Sequence, residues 1–136
     1  MLEPGVIQSR GFRNVSEEGR INGFQVRIRT PYYRGIWASL LEGADVVVDG
    51  EKVEREKIRW TIGDRTFTLP ELEAATDVRW PFLEAAILTV PKLGGLTIGM
   101  HDVSVSVALR ASYFPPAFGP WITQAERKLA LVAEKE

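Results

Sequence analysis

Val103-Ser104-Val105-Ser106-Val107-Ala108-Leu109-Arg110 is the stretch on which the reading of the fold turns. An apolar side chain stands at every second position over eight residues, the period of a strand with one face buried and one face wet. It is the longest clean alternation in the chain, and it predicts a strand in the middle of a sheet. Working outward, Phe24, Val26 and Ile28 alternate with Gln25, Arg27 and Arg29 in the same way, until Pro31 removes a ladder donor. Ile36-Trp37-Ala38-Ser39-Leu40-Leu41 is apolar on both faces and reads as a strand covered on both sides.

The clearest turn is Asp49-Gly50, set between Val46-Val47-Val48 and Glu51-Lys52-Val53. Asp-Gly supplies the two positive-φ positions of a two-residue hairpin loop. Ile58 to Ile62 leads through Gly63-Asp64-Arg65 into Thr66-Phe67-Thr68, a second hairpin. Pro81 to Val90, centred on Ala86-Ile87-Leu88-Thr89-Val90, gives a further strand ahead of the turn Pro91 to Gly95. Between them, Pro70 and the early acids Glu71 and Glu73 predict one short helix over Leu69 to Ala75. Seven or eight short strands with turn signals between them predict an all-β fold, an antiparallel β-sandwich or open barrel. After Pro115, Pro116, Gly119 and Pro120, the residues Ile122, Ala125, Leu129 and Val132 recur at three- and four-residue spacing. That spacing predicts a helical C-terminal tail. The domain organisation is therefore a β-sandwich over 1–116 and a C-terminal extension over 117–136.

Composition narrows the function. The 136 residues are 45% hydrophobic and 26% charged with a formal net charge of -1, a balance without the basic footprint of a nucleic-acid or membrane-surface protein. The chain has no cysteine, which excludes a disulfide framework, a zinc-thiolate site and a cysteine nucleophile, and fits the cytoplasm. Met1 to Arg10 lacks the long apolar run of a signal peptide. His101 is the only histidine, so a two-imidazole metal site is impossible and a serine nucleophile has one base available at most. His101 reads as a histidine opening the strand after Gly99-Met100, with pocket contact left open. The acids are scattered over turns such as Glu17-Glu18 and Asp49-Gly50-Glu51, where solvated charge is the simpler reading than paired acid/base work.

Aromatic and cationic groups are more concentrated. Tyr32-Tyr33-Arg34 follows Pro31, Trp80 stands in Asp77-Val78-Arg79-Trp80-Pro81-Phe82, and Tyr113-Phe114 precedes the proline pair. Tyr32, Tyr33, Arg34, Trp80, Tyr113 and Phe114 are candidates for an interface or a substrate pocket, because such residues are enriched at recognition surfaces. Capping of the core edge is the competing reading for the tyrosines.

Several of these pieces form an ordered series: Gly11-Phe12-Arg13-Asn14-Val15, Gly23-Phe24, Pro31-Tyr32-Tyr33-Arg34-Gly35, Val48-Asp49-Gly50-Glu51, Asp77-Val78-Arg79-Trp80, Gly94-Gly95-Leu96, Gly99-Met100-His101 and Arg110-Ala111-Ser112-Tyr113. Together they resemble the small (β) subunit of bacterial C-glycoside deglycosidases, over roughly residues 11 to 116. The resemblance implies a hetero-oligomer with a TIM-barrel large (α) subunit that holds a divalent metal, manganese or magnesium, and the catalytic base. It implies lyase-type cleavage of the C–C bond between a 3-oxo sugar and an aromatic aglycone, as in flavonoid glycosides. It assigns no cofactor, metal or catalytic residue to this chain, whose part would be to shape or cover the barrel's active-site mouth. The alternatives are a stand-alone carbohydrate-binding or interaction β-domain, and an independent enzyme using scattered carboxylates.

Overall fold

The computed structural model describes residues 2–31, 35–110 and 121–132. Eleven strands appear among them: β1 (Ile7–Glu17), β2 (Arg20–Ile28), β3 (Ile36–Trp37), β4 (Leu41–Val48), β5 (Glu51–Val53), β6 (Arg59–Ile62), β7 (Arg65–Phe67), β8 (Arg79–Trp80), β9 (Ala86–Pro91), β10 (Gly99–Leu109) and β11 (Trp121–Leu131). They form a five-stranded sheet in the order β1-β2-β9-β6-β7, a four-stranded sheet in the order β11-β10-β4-β5, and the small pair β3-β8. The pairings are antiparallel, and the buried side chains of both large sheets belong to one continuous core.

The strand predicted from Val103 to Leu109 is central, between β4 and β11, with Val103, Val105, Val107 and Leu109 turned into the core. Val46 pairs with Val105 and Val48 with Val103, so β4 presents its own valines on the same face. The opposing sheet supplies Phe24, Val26, Ile28, Leu88, Val90 and the fully buried Trp60. Removing each large apolar side chain from water contributes about 1.5–3 kcal/mol. The Asp49-Gly50 turn has φ of 51° and 84°, the two left-handed positions that the sequence predicts for the β4–β5 hairpin.

Among the described residues the one α-helix, α1 (Leu69–Ala74), begins in a capping box: the Thr68 hydroxyl accepts from the Glu71 amide, and the Glu71 carboxylate accepts from the Thr68 amide. It buries Leu72 against the sandwich.

Three readings are corrected. The C-terminal segment is not helical: Trp121–Leu131 is a strand paired with all of β10, from Gly99↔Leu131 to Leu109↔Trp121. Along it Ala125 and Arg127 are half-buried and Leu129 and Leu131 buried, while Gln124, Glu126, Lys128 and Ala130 are exposed. That period of two coexists with the helical spacing of Ile122, Ala125 and Leu129, and an eleven-residue ladder outweighs a marginal short helix. The strand read over Ile36 to Leu41 is only the bridge Ile36–Trp37, followed by a 3-10 turn at Ala38–Leu40 before β4 begins. Finally, β1 has no counterpart in the sequence reading. Its pairing with β2 shifts register between Gln8 and Arg13 and again after Val15, so its side chains lose the alternation that would announce a strand.

Candidate functional site

The ordered motifs meet in space at two corners. At the first, β3 pairs with β8, Ile36 opposite Trp80 and Trp37 opposite Arg79. Gly35 permits this approach, since a Cβ there would stand 2.9 Å from the Trp80 carbonyl. Trp80 itself is fully buried, its indole N–H donating to the Glu84 carbonyl at 2.8 Å and its ring meeting Trp60 edge-on at 5.9 Å. The surface here is made by Trp37, 45% exposed, and Arg79, whose guanidinium lies 5.6 Å from the Trp37 ring.

Tyr32, Tyr33, Arg34, Tyr113 and Phe114 lie outside the described residues. Pro31 and Gly35 flank the first of these segments and Arg110 precedes the second, and all three are described. Gly35 and β3 run through the 3-10 turn to Leu40, whose carbonyl accepts from the Arg110 amide at 2.7 Å, and Arg110 also pairs with Glu42. Sequence reasoning missed Trp37 because it read the residue as part of a strand covered on both faces.

At the second corner, β1, the β4–β5 turn, the segment Gly94–Ile98 and the start of β10 come together. The Asn14 carboxamide donates to the Leu96 carbonyl and accepts from the Leu96 amide, both at 2.8 Å. His101 is buried, with Nδ1 2.5 Å from Asp49 Oδ2 and Nε2 2.6 Å from the Thr97 carbonyl. Phe12 meets its ring edge-on at 6.0 Å. The hydrogen bond from His101, then that from the Asp102 amide, holds the Asp49 carboxyl below its ordinary value. Burial works to lower the pKa of His101, but the Thr97 carbonyl and Asp49 outweigh it and the net shift is upward. The Asp49 turn charge is thus a bonded one, a pairing that the 52-residue separation hid from the sequence.

Among the described residues no three His, Cys, Asp or Glu side chains converge where they could hold a metal ion. A groove of about 480 Å³ on the outer face of the four-stranded sheet, lined by Val47, Asp102, Ser104, Glu126 and Lys128, is shallow and open. Among the described residues no helix is long and apolar enough to cross a membrane.

Residues 2–113 match the family of C-glycoside deglycosidase beta subunits. The chain belongs to that family. A C-glycoside deglycosidase beta subunit of Eubacterium cellulosolvens is 39% identical over 116 residues, covering 85% of this chain and 79% of the relative. A 3'-dehydrocarminate deglycosidase beta subunit of a Microbacterium species is 33% identical over 99 residues, 73% of this chain and 74% of its own length. One from Arthrobacter globiformis, named a C-glycoside deglycosidase beta subunit, is 32% identical over 103 residues, 73% of each chain. As a deglycosidase β subunit, the chain has a partner subunit.

Proposed function

We propose that this chain is the non-catalytic small subunit of an enzyme that cleaves the C–C bond between a 3-oxo sugar and an aromatic aglycone, and that it shapes the active-site mouth of a TIM-barrel large subunit. The observation that carries the reading is the family match over residues 2–113. The name of the Microbacterium relative supports the oxidised sugar, since 3'-dehydro denotes a ketone at that position. A ketone acidifies the neighbouring C–H. A base in the large subunit takes that proton, and the electrons of the bond to the aglycone leave with the aglycone carbon, which is then protonated. A divalent metal in that subunit, manganese or magnesium, would supply Lewis-acid stabilisation of the developing negative charge.

The described residues of this chain contribute no step to that chemistry; they contribute surface. The corner at Trp37 and Arg79 has the aromatic and arginine composition of an interface centre, as do Tyr32, Tyr33, Arg34, Tyr113 and Phe114 in the sequence. We place the complex in the cytoplasm, in keeping with a chain that has no cysteine. The test is to assay each chain alone and both together on a 3-oxo C-glycoside, following release of the aglycone. The reading expects turnover only from the pair. Turnover by this chain alone, or undiminished turnover by the large chain without it, would overturn it.

A further inference from the structure

His101 sits between two groups that can only accept hydrogen bonds. Asp49 is a carboxylate whose other oxygen, Oδ1, already accepts from the Asp102 amide at 2.8 Å, and the Thr97 partner is a backbone carbonyl. A neutral imidazole carries one N–H and has one bare nitrogen. With Nδ1 at 2.5 Å from one acceptor and Nε2 at 2.6 Å from the other, a bare nitrogen would face an oxygen lone pair on one side. Only the imidazolium, with two N–H groups, satisfies both contacts.

We infer that His101 is an imidazolium in the folded chain at neutral pH, and that it acts as a proton-dependent pin joining the β4–β5 turn, β10 and the segment Leu96–Ile98. The surroundings favour that charge. From the β4–β5 hairpin, Asp49 bonds the ring directly, and Glu51 is paired with Lys92 at 3.1 Å. On its own strand Asp102 is adjacent, and Lys128 of β11 lies 3.9 Å from that carboxylate. The cross-strand partner of His101 on β11 is the apolar Leu129. From β1 come the uncharged Phe12, against the ring, and Asn14, which holds Leu96. Among the described residues Asp49 is thus the one charged group bonded to the ring. When the proton is lost, the remaining N–H stays with the charged carboxylate and the Thr97 carbonyl loses its donor. Leu96–Ile98 is then tied to the sandwich by Asn14 alone of these two clamps.

The sign follows from linkage. A folded-state pKa above the unfolded value contributes stability that is complete below the unfolded pKa and is lost as pH rises through the folded one. Stability and protection at Thr97–Gly99 should therefore fall on the alkaline side of the ordinary histidine value of about 6.5.

Since His101 is the only histidine, histidine-labelled full-length chain gives one unambiguous imidazole signal by NMR. The expected result is two protonated-type ¹⁵N resonances at pH 7 and a single titration with its midpoint above pH 7, on the alkaline side of the ordinary value of about 6.5. Amide protection at Thr97–Gly99 and the thermal midpoint should drop across the same interval. His101→Gln, which has no proton to lose in this range, should abolish that drop. A pyridine-type nitrogen at pH 7, or a midpoint at or below pH 7, would overturn the inference. So would a high midpoint with unchanged protection at Thr97–Gly99. The wild-type titration decides the matter even if the variant fails to fold.

Discussion

Asn14 and Leu96, 82 residues apart, are joined by two 2.8 Å hydrogen bonds, so that a side-chain amide on β1 does for an irregular segment what a neighbouring strand would do for a ladder. Asn14→Ala should leave one backbone donor and one acceptor, both partly buried, without these partners, at a cost of about 1–3 kcal/mol. Gly95 is part of the same joint. Its φ is +65°, and a Cβ would stand 2.5 Å from Asn14 Oδ1. Gly95→Ala should destabilise by more than about 1 kcal/mol, through both strain and loss of the Asn14 geometry. Gly50, equally left-handed at +84° but with open space around it, should cost only the backbone strain when changed to alanine. Urea unfolding of the three variants checks the ranking.

A second expectation separates a sheet strand from a loose tail. Leu129 is buried on β11, and Glu126 on the same strand is exposed. Leu129→Ala should cost about 2–5 kcal/mol, the usual effect of a cavity in a core. Glu126→Ala should stay within about 0.5 kcal/mol of wild type. Equal, small effects at both positions would mean that the segment does not complete the four-stranded sheet.

Acid stability provides a third. Glu3 is bonded by Arg127 of β11, then by the Ser9 hydroxyl and amide, which hold its pKa at about 2 rather than 4.5. Arg127 also donates to the Ile7 carbonyl at 2.9 Å, so this clamp bridges the edges of the two sheets. Because the folded value is depressed, the clamp's contribution is complete above the unfolded pKa and is lost as pH falls from 4.5 towards 2. Thermal midpoints measured down that range should drop less steeply for Glu3→Gln than for wild type. Parallel curves would remove Glu3 from the acid transition.

How much of this was legible in the sequence depends on whether local pattern and tertiary pairing agree. They agree in β10 and at Asp49-Gly50, where alternation and turn chemistry state the structure outright, and at Pro70 to Glu73, where a proline and early acids announce α1. They disagree in β11, whose spacing suits a helix as well as a strand until β10 supplies the ladder. In β1 the bulges around Gly11 erase the period altogether. The candidate site was half legible: composition marked the aromatic segments, but Trp80 points into the core while Trp37, three residues from Leu40, carries the exposed ring. No local signal links Asp49 to His101 or Asn14 to Leu96, since each contact joins segments that only tertiary pairing brings together.

The exposed corner yields a fourth expectation. Trp37→Ala and Arg79→Ala should leave the thermal midpoint nearly unchanged, because both side chains are largely outside the core, yet weaken assembly with the large subunit. Loss of a central anchor typically costs about 2 kcal/mol or more, roughly 30-fold in Kd. Wild-type affinity in both folded variants would move the interface elsewhere.

The account's central claim is that this chain works only as part of a two-chain enzyme, and native mass spectrometry of the chain co-expressed with its large subunit tests it most directly. The prediction is a stoichiometric complex containing both chains, with aglycone release from a 3-oxo C-glycoside confined to that species. Recovery of this chain free of any partner, alongside a large chain that is fully active by itself, would contradict it.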